Sequence, residues 1–378
     1  MKIGDKMPEE KMVVTPYEVR GKIDYDKLVK EFGLSLIDEK LRKKLEKYMG
    51  NNLFLRRKIF FVHRDLDFIL NEFEKGNKFY LYNGRGPSGH TQLGHLLPFI
   101  FTKQLQDAFN VNYLIQLTDD EKFLFKEKLS VEDVEKFTYE NSLDLIALGF
   151  DSSKTKIISD LKYAKTLYKQ AIRVAKKLTF STVKAVFGFT NETNVGSIFF
   201  TSMQSVPAFI ESVKQKKNIP CLIPHAIDQD PHFRIARDIL PKLGYYKPAS
   251  IQCKFLPSLG KGGKMSASEP ETAIYTVDTP KDIERKIMKA FTGGRDTVEE
   301  QKKLGGNPDV CSVYQYFYLL FELDDKKLKE RYEKCKKGKI LCGECKKELA
   351  ERIKKFLAEH QKKREAAKKV VEKFMLED

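Results

Sequence analysis

A glycine-rich stretch separates an apolar segment near residue 80 from a new helical period. Residues 79–82 are typical of a buried strand, residues 84–94 carry turn-forming Gly and Pro, and apolar residues then recur at helical spacing. A helix that begins after such a turn presents unpaired N–H groups and the positive end of its dipole, which favours a phosphate. Gly86 and Gly94 would let a ligand approach the backbone, and His95 could donate to an anionic oxygen. Taken alone, the stretch fits ordinary turn chemistry equally well.

A second stretch, residues 259–268, reads Leu-Gly-Lys-Gly-Gly-Lys-Met-Ser-Ala-Ser. A glycine-rich loop that delivers the Lys264 ammonium could neutralise charge developing on a leaving pyrophosphate, with hydroxyls at Ser266 and Ser268 beside it. Without the first stretch, a solvated basic loop would be the simpler interpretation. Together, the two stretches indicate nucleotide chemistry.

The remaining patterns predict the elements that must hold these two stretches. Short apolar runs predict strands, and helical periods separate most of them. The predicted strands after the first are 113–117, 156–159, 221–224 and 250–255. Each polar cluster follows the carboxyl end of a predicted strand, which is where ligands bind in an open parallel sheet. After about residue 279 only helical periods remain.

We therefore predict an α/β protein with a Rossmann-type parallel sheet. The expected divisions are an N-terminal, mostly helical extension over 1–76, a catalytic domain over 77–276 and an α-helical domain over 277–378. A chain of 378 residues with 41% hydrophobic residues is long enough for two domains with cores of their own.

Composition narrows the class of partner. The formal net charge is +16, and a basic excess of this size favours a polyanionic partner, although many lysines would simply lie on solvated helix faces. No apolar run approaches the roughly 18 residues that a membrane span needs, and the start has no apolar signal core. We expect a cytoplasmic protein with no membrane contact.

The six cysteines raise the question of a metal site. Cys342 and Cys345 form a Cys-x-x-Cys pair with Cys335 upstream, a pattern compatible with zinc. No fourth Cys or His lies at ligand spacing, since His360 is fifteen residues beyond Cys345. We therefore expect reduced thiols and no bound metal.

The two glycine-rich stretches resemble the signatures of class I aminoacyl-tRNA synthetases. Residues 92–95, Gln-Leu-Gly-His, resemble their His-Ile-Gly-His motif, and residues 264–268 resemble their Lys-Met-Ser-Lys-Ser loop. The runs 84–88, 118–122 and 226–234 are similar to cytosolic eukaryotic-type tryptophanyl-tRNA synthetases. This likeness extends from about residue 14 to the C-terminus. The sequence departs from the class signature at Gln92, where the first His is usual, and at Ala267, which replaces the second Lys.

The resemblance implies a two-step reaction. Tryptophan attacks the α-phosphate of ATP to give an adenylate and pyrophosphate, with Mg²⁺ sharing the phosphate charge, and the acyl group then passes to the 3′ end of tRNA(Trp). Because the attacking carboxylate is already ionised, the first step needs positioning and charge stabilisation more than a general base. The resemblance also implies that the C-terminal helical domain binds the anticodon and that the protein is a homodimer.

Residue roles follow from position in the matching motifs. The implied catalytic residues are His95, Lys264, Ser266 and Ser268. The implied ATP-binding residues are Arg85, Gly86, Ser88, Gln92, Gly94, His95, Asp228, Lys264 and Met265. The implied tryptophan-binding residues are Tyr82, Gln116, Glu121, Gln204, Gln229 and Phe233. An indole offers one N–H donor and a large apolar face, so its pocket needs an acceptor and aromatic walls.

Two other functions compete with this one. A tyrosyl-tRNA synthetase would need partners for a phenol hydroxyl and lacks the tryptophan-type runs. An inactive synthetase-like protein that only binds tRNA would be consistent with Gln92, but the intact Lys264 loop argues against it.

Overall fold

The computed structural model describes residues 12–14, 19–20, 23–265 and 269–378. The strands in these ranges are β1 Val13–Val14, β2 Val19–Arg20, β3 Ser35–Leu36, β4 Phe60–Arg64, β5 Tyr80–Arg85, β6 Tyr113–Leu117, β7 Thr155–Ser159, β8 Cys221–Ala226, β9 Ala249–Cys253 and β10 Met375–Leu376. The first helices are α1 Tyr25–Phe32, α2 Glu39–Met49, α3 Leu53–Arg56, α4 Leu66–Glu74, α5 Leu93–Phe109, α6 Asp119–Phe125, α7 Val131–Ile146, α8 Ala164–Ala175 and α9 Phe180–Phe187. They are followed by α10 Val195–Met203, α11 Ile210–Gln215, α12 Asp230–Ile239, α13 Pro280–Lys289, α14 Val298–Leu304, α15 Ser312–Tyr316, α16 Asp325–Lys336 and α17 Cys342–Ala367.

The centre of the fold is an eight-stranded sheet of order β10-β7-β6-β5-β8-β9-β4-β3. The strands from β10 to β9 are parallel, while β4 runs antiparallel to β9 and β3 antiparallel to β4. The chain moves outward from β5 through β6 to β7 and then returns to place β8 on the other side of β5. This reversal makes the carboxyl ends of β5 and β8 a topological switch point, where open α/β sheets bind ligands. The predicted Rossmann-type α/β class is confirmed.

Alternate residues of the central strands enter different cores, because successive side chains of a strand point to opposite faces. In β5, Leu81 packs into one core with α5 and helices of the C-terminal region. Tyr80 and Tyr82 pack into the other core, which α8, α10 and α12 cover. Burial on both faces explains why the parallel strands read as continuous apolar runs.

Local sequence explains where the helices start. Ser130 caps α7 by accepting a hydrogen bond from the Asp133 N–H, and the Asp133 carboxylate accepts one from the Ser130 N–H. The helix predicted after the glycine-rich stretch is α5, which ends at Phe109. Pro231 lies in the first turn of α12, where its missing N–H costs little.

The region after residue 277 is mainly helical, but it contains β10, a strand that the sequence patterns did not predict. Met375 and Leu376 pair with Ile157 and Ile158 of β7 and so cover the edge of the sheet. A two-residue strand leaves too short a pattern to detect, and its partner is more than 200 residues away. The division of the chain at 76 and 276 stays a prediction. No helix in the described ranges is long and apolar enough to cross a membrane.

Candidate active site

A cleft of about 2400 Å³ opens above the carboxyl ends of β5, β6, β8 and β9. The glycine-rich stretch between β5 and α5 forms one side, and the lysine loop after β9 forms another. Both stretches singled out in the sequence therefore meet at one site. They meet because parallel strands deliver their following loops to the same edge of the sheet.

The start of α5 fixes the orientation of His95. The Gln92 backbone N–H donates to His95 Nδ1 at 3.1 Å, so a neutral His95 carries its proton on Nε2. Burial, followed by the charges of Arg85, Lys264 and Lys122, holds the pKa of His95 well below its usual range. His95 is consequently a neutral donor at the positive end of a helix. The Gln92 side chain is buried and donates to Tyr275 Oη at 3.5 Å.

Arg85 is the last residue of β5 and donates to the carbonyl oxygen of Gly86, which follows it. Burial lowers the pKa of Arg85 to about 10, which still leaves it charged near neutrality. The Lys122 side chain occupies the space beside Gly86, since a Cβ there would lie 1.8 Å from Lys122 Cε. Ser88 also lines the cleft. Two cations thus stand beside the glycine-rich stretch, which suits an anionic ligand.

Lys264 crosses the cleft to Asp228. Its Nζ lies 2.5 Å from Asp228 Oδ2, while the buried Asp228 Oδ1 has no hydrogen-bond partner in the described residues. Met265 packs near Gly94, where an added Cβ would lie 3.6 Å from the Met265 sulfur. The predicted catalytic residues Ser266 and Ser268 lie outside the described residues.

A buried hydrogen-bond network centred on β5 and β6 reaches the cleft at Gln204. Tyr82 Oη donates to Gln116 Oε1 at 2.6 Å, and Gln204 Nε2 donates to Tyr82 Oη at 2.7 Å. Gln116 Nε2 in turn donates to both carboxyl oxygens of Asp160, each at 2.8 Å. The side chain of Gln116 is therefore held with its carbonyl oxygen toward Tyr82 and Gln204. The structure brings three of the six residues predicted for the amino acid into one network.

The other three predicted amino-acid residues, like Gln204, line the cleft. Phe233 stands edge-to-face on Tyr82, with ring centroids 6.0 Å apart. Glu121 accepts hydrogen bonds from Thr118 Oγ1 at 2.6 Å and from Lys122 Nζ at 2.7 Å. Burial acts to raise the pKa of Glu121, but Lys122 and the hydrogen bonds outweigh it and the pKa is lowered. Gln229 lies just before α12. An ionised carboxylate thus stands beside an aromatic pocket.

Two residues of the site escaped the sequence analysis. Asp160 follows β7 directly, so the rule that polar residues after a strand mark the site could have found it. Burial, followed by the charges of Asp120 and Asp119, raises the pKa of Asp160 well above its usual range. Lys122 lay inside a quoted motif, but only the tertiary structure shows it beside Gly86.

These features define a class of protein. A phosphate-favouring helix start and a lysine loop share one cleft with a pocket of aromatic and amide groups, as an enzyme that activates a small acid with a nucleotide requires. Residues 74–358 match the family described as tRNA synthetases class I (W and Y). The chain belongs to this family.

Individual relatives agree with this placement. The chain is 52% identical to the tryptophan--tRNA ligase of Pyrococcus horikoshii, covering 97% of this chain and 94% of that protein. It is 50% identical to the tryptophan--tRNA ligase of Pyrobaculum calidifontis, covering 97% and 98%. The fold matches the tryptophanyl-tRNA synthetase structure from Plasmodium falciparum with a TM-score of 0.86 and 43% identity, covering 93% of this chain and 97% of that one.

Proposed function

We propose that this chain is a tryptophan--tRNA ligase that activates L-tryptophan with ATP and transfers the tryptophanyl group to tRNA(Trp). The observation that carries the proposal is the buried Tyr82–Gln116–Gln204 network, whose Gln204 lines the same cleft as His95 and Lys264. The network offers buried oxygen atoms to a single N–H donor, and Phe233 supplies an aromatic wall. Relatives named for this activity cover nearly the whole chain.

On the ATP side, His95 Nε2–H and the backbone near Gly94 would contact the phosphates. Arg85, Gly86, Ser88 and Gln92 would surround the same ligand from the glycine-rich stretch. Lys264 would exchange its Asp228 partner for the pyrophosphate oxygens as charge builds there, which is stabilisation of the transition state more than of the ground state. Ser266 and Ser268 are proposed to act with Lys264, and Met265 to pack against the nucleotide.

On the tryptophan side, Gln116 Oε1 and Tyr82 Oη would receive the indole N–H. Glu121 and Gln229 would hold the α-ammonium, Gln204 the carboxylate end, and Phe233 the ring edge. This hydrogen bond would discriminate against an analogue without the N–H, because such an analogue cannot donate to either oxygen. Tyrosine carries a phenol hydroxyl in place of the indole N–H, so its side chain would not match these hydrogen-bond partners.

Mg²⁺ would enter as part of the ATP substrate. No group of three or more His, Cys, Asp or Glu side chains in the described ranges has the geometry to hold a metal ion. Mg²⁺ generally keeps several waters and binds chiefly to substrate phosphates. Bound in this way it would neutralise phosphate charge, while His95 and Lys264 orient the phosphates.

The remaining elements of the proposal concern partners and setting. The C-terminal helices would bind the anticodon, and the net charge of +16 supports a nucleic-acid partner. We also propose a homodimer, a cytoplasmic location, and the cytosolic eukaryotic type of enzyme that the motifs resemble. Sedimentation analysis of the purified chain tests the dimer.

The decisive experiment is ATP–pyrophosphate exchange with Mg²⁺, comparing tryptophan, tyrosine and no amino acid. We expect tryptophan to support exchange and tyrosine not to. Exchange supported by tyrosine but not by tryptophan would overturn the proposal. A chain that shows no exchange but binds tRNA would be the inactive synthetase-like protein.

Gln116→Leu tests the pocket in the same assay. The KM for tryptophan should rise more than the KM for ATP, and equal rises would refute the role of Gln116. Gln106→Leu is the matched control, because Gln106 is also buried but donates to Thr155 Oγ1 at 2.9 Å outside the cleft. It should leave the ratio of the two KM values unchanged.

A further inference from the structure

His225 lines the cleft near the end of β8, and none of the proposed binding roles uses it. The residue is only 5% exposed. A buried polar group that makes no hydrogen bond in the protein has lost the hydrogen bonds that it made to water, so native structures leave few such groups. The partners of its two ring nitrogens therefore indicate what His225 does in the site.

The hydrogen bond at one ring nitrogen fixes the protonation of both. His225 Nδ1 lies 2.8 Å from the carbonyl oxygen of Ala226. A carbonyl oxygen can only accept, so Nδ1 carries a hydrogen atom and donates it. Burial lowers the pKa of His225, although the hydrogen bond to Ala226 acts in the other direction. The ring is therefore neutral near pH 7, and its Nε2 carries a lone pair and no hydrogen.

His225 Nε2 is thus an acceptor that lacks a donor. It is buried and has no hydrogen-bond partner among the residues that the structure describes. The neighbouring cation Arg64 does not supply one, because its three guanidinium nitrogens already donate to Asp230 and to the carbonyl oxygens of Phe32 and Gly33. A ligand in the cleft is the remaining source of a hydrogen-bond donor.

The ring contacts of His225 place it on the tryptophan side of the cleft. Its centroid lies 4.8 Å from that of Phe233, the residue proposed to meet the ring edge of tryptophan. Phe233 in turn stands edge-to-face on Tyr82 at 6.0 Å. Phe233 therefore contacts both His225 and a residue proposed to receive the indole N–H. A ligand donor that reaches His225 belongs to the amino acid rather than to the phosphates.

The charges near His225 favour a positively charged donor. Burial lowers the pKa of His232 to about 4, while the charges of Glu121 and Asp228 act to raise this pKa and that of His225 acts to lower it. His232 therefore lies close to Glu121 and to His225. Both imidazoles are neutral near pH 7, whereas the pKa of Glu121 is lowered and its carboxylate is ionised. An ammonium group beside these side chains is attracted by the carboxylate and is not repelled by the two rings.

We propose that His225 Nε2 accepts a hydrogen bond from the α-ammonium group of tryptophan. An ammonium group has three N–H donors, and the roles proposed for Glu121 and Gln229 use two of them. His225 supplies the third acceptor. The single indole N–H already has Gln116 and Tyr82 as its proposed partners. The inference rests on the proposed function, since it adds one contact to the same substrate.

The test compares three ligands that all carry the indole N–H. Tryptophan and tryptamine have the ammonium group, and indole-3-propionate lacks it. The assay is ATP–pyrophosphate exchange, which gives the KM for tryptophan and for ATP, with the other two ligands as competitive inhibitors. In His225→Phe the KM for tryptophan and the Ki of tryptamine should rise about tenfold or more. The Ki of indole-3-propionate and the KM for ATP should stay within about threefold. Equal rises for all three ligands, or no rise for any, would overturn the inference.

Further variants separate the acceptor from the ring. His225→Gln keeps an acceptor oxygen and should recover most of the loss, whereas a loss as large as that of His225→Phe would contradict the role of Nε2. His63→Phe is the matched control, because His63 is also a buried strand histidine but does not line the cleft. It should leave the ratio of the tryptophan KM to the indole-3-propionate Ki unchanged.

The same assay distinguishes this inference from the proposed function. If the unmodified chain shows no exchange with tryptophan, the proposed function fails and the inference fails with it. If the unmodified chain exchanges normally and His225→Phe shows no loss that depends on the ammonium group, only the inference fails. Should His225→Phe not fold, His225→Leu removes the same acceptor with a smaller side chain, and the same three ligands are compared.

Discussion

Asp160→Ala should weaken the recognition of tryptophan, although Asp160 is not one of the proposed tryptophan contacts. Asp160 lies behind Gln116, where its two oxygens each accept a hydrogen bond of 2.8 Å from Gln116 Nε2. Without this anchor the Gln116 amide can rotate and present N–H instead of oxygen toward Tyr82. We therefore expect Asp160→Ala to raise the KM for tryptophan while leaving the KM for ATP nearly unchanged.

The size of the effect follows from the contacts that are lost. A buried donor left unpaired costs about 1–3 kcal/mol, and every 1.4 kcal/mol is about a tenfold change in affinity. If the cost falls on the bound state, the KM for tryptophan should rise about five- to one-hundred-fold. Asp160 is buried, so part of the cost will appear in the free energy of unfolding, which must be measured alongside.

Asp160→Asn is the matched control. Burial and the neighbouring carboxylates raise the pKa of Asp160 well above its usual range. Asp160 therefore stays protonated, and so neutral, to a higher pH than an ordinary aspartate. An asparagine amide keeps an oxygen for Gln116 and resembles that neutral form. Its KM for tryptophan should stay within about threefold of the unmodified enzyme. Equal effects of the Ala and Asn variants, or equal changes in both KM values, would refute the argument.

Three further predictions concern the phosphate side and the buried carboxylates. Lys264→Ala should lower kcat for ATP–pyrophosphate exchange about 10²–10³-fold, with little change in tRNA affinity. Lys261 is an exposed lysine of the same loop, and Lys261→Ala should change this kcat little. Gly94→Ala should leave Tm unchanged or slightly higher, because the nearest protein atom would lie 3.5 Å from the added Cβ. The same variant should raise the KM for ATP, and unchanged kinetics would show that Gly94 is not part of the ATP site. Burial raises the pKa of Asp120 to about 7, so its folded form holds a proton that the unfolded chain loses near pH 4. The free energy of unfolding of the unmodified chain, relative to that of Asp120→Asn, should therefore fall as the pH rises from about 4 to 7 and then stay constant. The measurement is Tm against pH for both proteins, and curves that run parallel would contradict the prediction.

Much of the site could be predicted because its residues lie in short segments, each within or just after one parallel strand. Tyr82 and Gln116 lie within strands that the apolar pattern identifies and Asp228 lies two residues after another, and the sheet brings these strands together. The motif around His95 is similarly local, since a turn and the following helix are continuous in sequence. Local patterns therefore located most of the cleft.

Contacts between distant segments could not be predicted in this way. The orientation of the Gln116 amide depends on Asp160, which is 44 residues away, and the edge pairing of β10 with β7 joins residues more than 200 positions apart. Cys311 joins Cys335, Cys342 and Cys345 only because α15, α16 and α17 fold around one small pocket that all four line. No spacing rule encodes such a contact.

The sequence by itself therefore determined the α/β class, the strand ends that carry polar groups and the two stretches suited to phosphate. These depend on side-chain periodicity and on backbone preferences within a few residues. The tertiary structure decided which amide faces the pocket, which lysine stands beside Gly86 and which thiols share a cavity. Those properties depend on packing between segments, where the free energy of burial and hydrogen bonding is shared by residues far apart in the chain.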